Sequence, residues 1–283
     1  MEKKGYSKNI TNSIVILFVV LIIIVLTLML ISRNNIKENN DNNITTNNDN
    51  TGIIEEGKDE KNDYCNVNAL EFGGENFEES VVLYLPFDND TKDASKKRNS
   101  VTCITTTCPT KNPDDNSEIN GYTFDGNDYL QYNGLMEKPT EFTLVGFGNL
   151  NSADKQGAEL ISIGDYASIR LDSNGNLSGN YHYNGGWLYT NYPSTFVGEG
   201  WHHFAYVFKN TEFQELYVDG VSVSKTNHPK TIYYSGLSSM STFIGKNGNS
   251  NTNFDFNGSI DEVIIFNKAI SNSEMENLYN CYY

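Results

Sequence analysis

Three aspartates, Asp88, Asp90 and Asp93, follow an apolar run and form a D-x-D-x-x-D cluster. Ca²⁺ prefers oxygen ligands, about six to eight of them, from carboxylates, backbone carbonyls and waters. The cluster therefore predicts part of a calcium site. The alternative is that these are turn residues whose carboxylates accept hydrogen bonds from their own backbone.

A second candidate site is a set of aromatic residues around a Gly-Gly segment. Aromatic rings with polar handles are suited to stacking on sugars, so the set predicts carbohydrate binding. The spacing of the first four residues also suits one inward face of paired strands, in which case half or more of them are core or rim residues. The set comprises Tyr181, Tyr183, Trp187, Tyr189 and Tyr192.

Four cysteines, Cys65, Cys103, Cys108 and Cys281, allow three disulfide pairings. Only four residues separate Cys103 from Cys108, which favours a local link and leaves Cys65 to pair with Cys281. Zinc is the competing interpretation, but the paired C-x-x-C spacing of structural zinc sites is missing.

The sequence shows little sign of catalysis. His202 and His203 are adjacent in a predicted strand, so their side chains point to opposite faces and a shared metal is not expected. The chain has no Ser-His-Asp signature, P-loop or dinucleotide fingerprint. We therefore do not expect an enzyme.

An apolar run near the N-terminus predicts a membrane anchor. Residues 14–32 are apolar almost throughout, long enough for a helix that crosses a bilayer. Basic residues in 1–13 put that segment in the cytoplasm and the rest of the chain outside the cell. A cleaved signal peptide and a prepilin-like signal are the alternatives.

Residues 33–63 are Asn-rich and polar, and they predict a disordered stalk that carries a domain over 64–283. The net charge is −16. Because binding to phosphates requires Lys and Arg, nucleic acid is not an expected partner.

The residue pattern of 64–283 indicates an all-β domain. Short β-branched and aromatic runs alternate with Asn-Gly and Asp-Gly turn pairs, which is typical of a sandwich. The predicted strands lie within residues 81–87, 122–126, 129–132, 142–147, 159–164, 167–172, 176–183, 201–208, 215–223, 241–245 and 260–266. Asp219-Gly220 predicts a two-residue hairpin that pairs Val218 with Val221 and Tyr217 with Ser222.

The C-terminal stretch combines a buried strand with a capped helix. Val263–Phe266 are four apolar residues in a row, as in a strand covered on both faces. Ser271 and Glu274 form a capping box, and Met275, Leu278 and Tyr279 form the apolar stripe of a helix that docks on the domain.

Seven segments between Val81 and Tyr279 together resemble the laminin G-like domains of the concanavalin A-like lectin/glucanase superfamily. They are YLPFDND (84–90), YTFDGNDYLQY (122–132), FTLVGF (142–147), WHHFAYVF (201–208), ELYVDGVSV (215–223), FIGKN (243–247) and FNGSIDEVIIFNKAISNSEMENLY (256–279). Phe147 stands where the family usually has Trp.

The resemblance implies a two-sheet antiparallel jelly-roll sandwich with a short C-terminal helix, in which the first and last strands are neighbours. That neighbourhood suits a Cys65–Cys281 link and brings Asp261 to the aspartate cluster, as a fourth ligand of a structural calcium. Superfamily glucanases carry acids that alternate along one strand. Here Asp261 and Glu262 are adjacent, and no E-x-D-x-x-E pattern occurs.

These patterns together predict a single-pass protein of the cell membrane with an extracellular binding or adhesion module that recognises carbohydrate. A structural or protein-interaction component of the envelope or a pilus is the alternative, and a glycan hydrolase is the third.

Overall fold

A computed structural model describes residues 71–72, 75–113, 119, 121–228, 230–235 and 241–282. The predicted cytoplasmic segment 1–13, the membrane helix 14–32, the stalk 33–63 and Cys65 lie outside the described residues. Within the described ranges, no helix has both the length and the apolar character needed to cross a membrane.

The domain consists of two antiparallel β-sheets packed face to face, as predicted. An eight-stranded sheet contains β3 (Val81–Leu85), β4 (Thr110–Lys111), β5 (Tyr122–Asp125), β7 (Glu141–Ser152), β12 (His202–Lys209), β13 (Phe213–Val218), β14 (Val221–Asn227) and β16 (Asn257–Phe266). A six-stranded sheet contains β6 (Leu130–Tyr132), β8 (Ala158–Ile163), β9 (Ala167–Leu171), β10 (Asn176–Tyr183), β11 (Gly186–Thr195) and β15 (Thr242–Ile244). The eight-stranded sheet has the order β14-β13-β12-β7-β16-β5-β4, with β3 also paired to β16, and the six-stranded sheet has the order β11-β10-β9-β8-β15-β6.

Three short elements precede the sandwich, and one helix follows it. The strands β1 (Glu71–Phe72) and β2 (Glu75–Asn76) pair with each other, and a single-turn helix α1 (Phe77–Ser80) leads into β3. The C-terminal helix α2 spans Asn272–Tyr282. The sequence prediction did not include β1, β2, β4, α1 or, in the six-stranded sheet, β11.

Strand β16 is the predicted buried C-terminal strand, and it joins the two ends of the fold. It pairs with β3 through Val263 to Leu85 and with β7 through Ile265 to Leu144. The first strand of the sandwich therefore lies beside the last, as the resemblance implied. Val263 and Ile265 face the core between the sheets.

A second core lies between the eight-stranded sheet and α2. Ile264 and Phe266, on the other face of β16, pack there with Met275 and Leu278 of the helix. The capping box forms as predicted, since Glu274 N donates to Ser271 Oγ at 3.3 Å and Ser271 N donates to Glu274 Oε2 at 2.5 Å. Both faces of the strand are therefore covered.

The hairpin at Asp219-Gly220 also has the predicted register, with Val218 opposite Val221 and Tyr217 opposite Ser222. Asp219 and Gly220 adopt φ angles of 49° and 74°, the left-handed conformations that a tight hairpin turn requires. The Asp219 carboxylate accepts from His203 N at 3.0 Å and lies 2.9 Å from His202 Nδ1. The turn is thus tied to the start of β12.

His203 is buried beneath α2, between the rings of Phe147 at 5.2 Å and Tyr279 at 5.5 Å. Neither ring nitrogen has a hydrogen-bond partner among the described residues. Burial lowers the pKa of the imidazole from 6.5 to about 4. The folded domain therefore holds His203 neutral, whereas the unfolded chain takes up a proton below pH 6.5.

We predict that His203 makes the domain less stable as the pH falls from 6.5 towards 4, by up to about 3 kcal/mol at the acid end. The His203→Phe variant keeps an aromatic ring between Phe147 and Tyr279 and cannot bind the proton. Its gain in free energy of unfolding over wild type, measured with urea, should be larger at pH 5 than at pH 8. An equal difference at both pH values would contradict the prediction.

Candidate functional site

The turn between β10 and β11 decides which aromatic side chains face outwards. Tyr183 pairs with Gly186, so only Asn184 and Gly185 form the loop. Across this hairpin Tyr181 lies opposite Leu188, and His182 lies opposite Trp187. Odd-numbered residues of β10 therefore share a face with even-numbered residues of β11.

The inner face, towards the eight-stranded sheet, holds three of the five predicted sugar-binding aromatics. Tyr181 is 0% exposed, and its ring packs on Phe208 at 4.7 Å and on His228 at 5.2 Å. Tyr183 and Tyr192 are half-buried against the same core. The expectation that Tyr181 belongs to a surface platform is therefore wrong, because its ring fills the space between the sheets. Tyr183 and Tyr192 are rim residues of that core.

Trp187 and Tyr189 lie on the opposite side, which we call the outer face because it points away from the eight-stranded sheet. The Trp187 ring meets His182 edge-on at 5.3 Å. Tyr233 lies beside the same histidine, with its carbonyl oxygen 3.2 Å from His182 Nδ1. Tyr189 is 45% exposed and Tyr233 is 39% exposed. We refer to His182, Trp187, Tyr189 and Tyr233 as the outer aromatic patch.

An arginine that sequence reasoning missed lies next to this patch. Arg170 of β9 is opposite Ser178 of β10, on the outer face. Its guanidinium carbon is 5.6 Å from the centre of the Tyr189 ring and 5.0 Å from that of Phe254. The alternation in ASIRL, with Ile169 in the core, was the signal available in the sequence.

Phe254 reaches the outer face because the β15–β16 loop (residues 245–256) lies over it. The loop is held by backbone and side-chain bonds: Glu159 N donates to Phe254 O at 2.9 Å, and Ser162 Oγ donates to Lys246 O at 3.0 Å. Asn247 Nδ2 donates to Glu159 Oε1 at 2.8 Å. Residues far apart in the chain thus line one surface.

Glu159 is a buried carboxyl beneath this loop. Its Oε1 lies 3.9 Å from Arg170 Nη1, and its Oε2 has no partner among the described residues. Burial raises the pKa of Glu159 to about 7, while Asn247 and Arg170 act in the opposite direction. Near neutral pH the carboxyl is therefore partly protonated and only partly neutralises Arg170.

The aspartates predicted to bind calcium make other contacts in the structure, and Asp93 makes the most. The carboxylate of Asp93 accepts four hydrogen bonds: from Tyr84 N at 3.0 Å, Ser95 N at 2.9 Å, Asn99 N at 2.7 Å and Asn99 Nδ2 at 2.7 Å. All four donors are N–H groups, so the oxygens are already occupied in holding the loop after β3. This is the turn role that was the alternative to calcium.

The other three predicted ligands do not complete a cation site. Asp90 pairs with Lys92 at the surface, Asp88 is exposed, and Asp261 is buried in β16, where its Oδ1 accepts from Glu262 N at 3.0 Å. In the part of the chain that the structure describes, no three His, Cys, Asp or Glu residues are arranged to hold a metal ion. The residues therefore do not fit the predicted calcium site.

The predicted local disulfide is present, with Cys103 and Cys108 bonded at a Cα–Cα distance of 5.3 Å. It closes the segment before β4, and Thr102 next to it pairs with Gln131 of the six-stranded sheet. Cys281 is half-buried in α2. Its predicted bond to Cys65 stays a prediction, because Cys65 is outside the described residues.

Asp261 and Glu262, the adjacent acids of the last strand, are separated by a β-bulge. Asp261 pairs with Phe147 and Ile264 with Val145, while Glu262 adopts a φ angle of 46°. Burial, followed by the charge of Asp261, raises the pKa of Glu262 well above its usual value. The bulge disrupts the regular alternation that would aim two carboxylates at one bond.

Residues 124–276, more than half of the chain, match the Laminin_G_3 family model, described as the concanavalin A-like lectin/glucanases superfamily. No curated protein sequence matches the chain.

Solved structures with the same fold include the binding domain of Paraclostridial Mosquitocidal Protein 1, with a TM-score of 0.55 at 15% identity over 72% of this chain and 53% of that one. Botulinum neurotoxin type C has a TM-score of 0.53 at 15% identity, over 73% and 52% of the two chains. The binding domain of botulinum neurotoxin serotype D/C has a TM-score of 0.56 at 17% identity, over 73% and 53%. At this identity the likeness concerns the fold, and the chain spans about half the length of these domains.

We predict that Asp93→Asn lowers the free energy of unfolding by about 2 kcal/mol, because an amide group replaces an acceptor of several N–H bonds. The matched control is Asp90→Asn, which removes an exposed pair with Lys92 and should change little. Urea denaturation with and without Ca²⁺ measures both effects. A rise in melting temperature with Ca²⁺ that Asp93→Asn abolishes would restore the calcium prediction.

Proposed function

The chain belongs to the Laminin_G_3 family of the concanavalin A-like lectin/glucanases superfamily, and we propose that its β-sandwich is a carbohydrate-binding module. The outer aromatic patch is the observation that carries this proposal. One residue separates Trp187 from Tyr189 on β11, so their rings project from the same face of an edge strand.

The chemistry of the outer face suits a saccharide. Partly exposed rings offer apolar surface to the C–H faces of a sugar, while neighbouring polar groups orient its hydroxyls. Asn191 is exposed on the same face, opposite Ser178, and the exposed ring of Tyr189 lies opposite Asn180. The strands hold these groups rigidly, which keeps the entropy cost of binding low.

Two structures with the same fold support the proposal through the ligands of those proteins. One concerns neurotoxin type C and its interaction with two ganglioside molecules, and another shows the neurotoxin DC binding domain in complex with SialylT. Both ligands bear carbohydrate. The present chain spans about half the length of each of those neurotoxin chains. A sugar ligand for the present chain is therefore our inference from its own outer face.

Protein recognition is the second candidate. The neurotoxin DC binding domain is also known in complex with rat synaptotagmin II, so a domain of this fold also binds a protein. Glycan hydrolysis is the third candidate function. The bulge at Glu262 disfavours it, because it disrupts the regular alternation of carboxylates along the strand. For either binding function, we propose that the segment 14–32 anchors the chain in the cell membrane with the module on the extracellular side.

We predict that Trp187→Ala abolishes binding of residues 64–283 to glycans on an array, because the stacking area of the largest ring in the outer aromatic patch is lost. Val221→Ala is the matched control, since Val221 is 64% exposed on the other sheet. It should bind as wild type does, and circular dichroism should show that both variants are folded. Glycan binding that survives Trp187→Ala would place the ligand on another surface, and capture of protein partners alone would favour protein recognition.

A further inference from the structure

The guanidinium of Arg170 has hydrogen-bonding capacity that the domain does not use. The nearest approach of its ion-pair partner is that of Glu159 Oε1, 3.9 Å from Nη1, which is beyond hydrogen-bond distance. Nε is buried without a partner among the described residues. The side chain is 15% exposed, so part of it reaches solvent.

Two aromatic rings hold this group in place. Tyr189 comes from β11 and Phe254 from the β15–β16 loop, and both rings lie within 6 Å of the guanidinium carbon. Cation–π contacts of this kind attract the charge and restrict the planar group without consuming its N–H donors. Arg170 is therefore oriented before any ligand arrives.

The floor of the site has further polar atoms without partners. Ser178, opposite Arg170 on the neighbouring strand, is 2% exposed, and its Oγ makes no hydrogen bond within the described chain. On the other side of Arg170, Glu159 Oε2 is also buried without a hydrogen-bond partner in the described chain. Groups buried in this way are costly unless something satisfies them.

From these contacts we infer that the outer face selects an acidic saccharide, whose carboxylate takes two parallel hydrogen bonds from Arg170 while its ring lies against the outer aromatic patch. This inference rests on the carbohydrate-binding function proposed above and names its ligand class. A planar carboxylate matches the guanidinium fork, and the resulting charge-assisted bonds are stronger than those to neutral hydroxyls.

Glu159 should couple this recognition to pH. The groups that face its carboxyl are Arg170 of β9, Asn247 of the β15–β16 loop, Ser168 and the carboxylate of Asp165. When Glu159 loses its proton, it competes with the ligand for Arg170 and repels the ligand's charge. Since its pKa is about 7, acidic saccharides should bind more weakly as the pH rises from 6 to 8.

The test uses an array of oligosaccharides that contain uronic or sialic acids, each printed beside the same compound with its carboxyl reduced to a hydroxymethyl group. Wild-type protein should bind the acids at least about tenfold more tightly than the reduced forms, as expected for hydrogen bonds to a charged group. Arg170→Gln should erase this preference. Arg170→Lys, which keeps the charge without the planar fork, should retain only part of it.

Lys230→Gln is the matched control, because Lys230 is also a cation over an aromatic ring, 3.9 Å from that of Tyr183. It should leave the preference intact. Melting temperatures show whether the Arg170 variants are folded, and Glu159→Gln in folded protein should remove the pH dependence. Equal binding of acidic and reduced compounds would overturn the inference and leave carbohydrate binding standing. Binding to none of them, with neutral glycans also inactive, would overturn the proposed function itself.

Discussion

The fold depends on strand β16, because it is paired along both edges and covered on both faces. Its edges bond to β7 on one side and to β3 and β5 on the other. Val263 and Ile265 enter the core between the sheets, while Ile264 and Phe266 enter the core under α2, and all four are 0% exposed. A strand in this position cannot shift its register by one residue without exchanging the two cores.

Buried polar groups divide into those that the fold satisfies and those that it leaves open. Asp93 has four N–H donors and serves the loop after β3. His203 has no hydrogen-bond partner in the described chain and stays neutral beneath α2. Glu159, Arg170 and Ser178 form a row across the six-stranded sheet, and atoms of all three lack partners there. Of these groups only Arg170 is partly exposed, at 15%, so it is the one that a ligand can reach.

The outer face brings together segments that are distant in the chain. β9 contributes Arg170, the edge strand β11 contributes Trp187 and Tyr189, and the β15–β16 loop contributes Phe254. The inner face of the same strands is packed, to the point that a Cβ on Gly179 would lie 2.5 Å from the ring of Tyr206. Close packing on one side therefore supports a preformed surface on the other, where sequence change is better tolerated.

By itself, the sequence determined the class of fold, most of the strands, the capped helix, the Asp219-Gly220 hairpin and the Cys103–Cys108 link. Each of these follows from local chemistry, such as period-two alternation, turn residues or a short covalent loop. The five aromatics could not be assigned to the inner or the outer face in this way, because the bounds of β11 were not predicted. The two-residue turn also makes odd-numbered residues of β10 share a face with even-numbered residues of β11. Tyr181 therefore proved to be core, while Trp187 and Tyr189 proved to lie outside.

Only the tertiary structure decided the partners of the charged groups. Asp93 and Asp261 are both acidic residues near strands, but one collects N–H donors and the other precedes a bulge. Arg170 looks ordinary in ASIRL, and its surroundings are formed by Tyr189, Phe254 and Glu159, which lie 11 or more residues away. Electrostatic environment is a property of what packs around a group, and that is known only once the sheets are assembled.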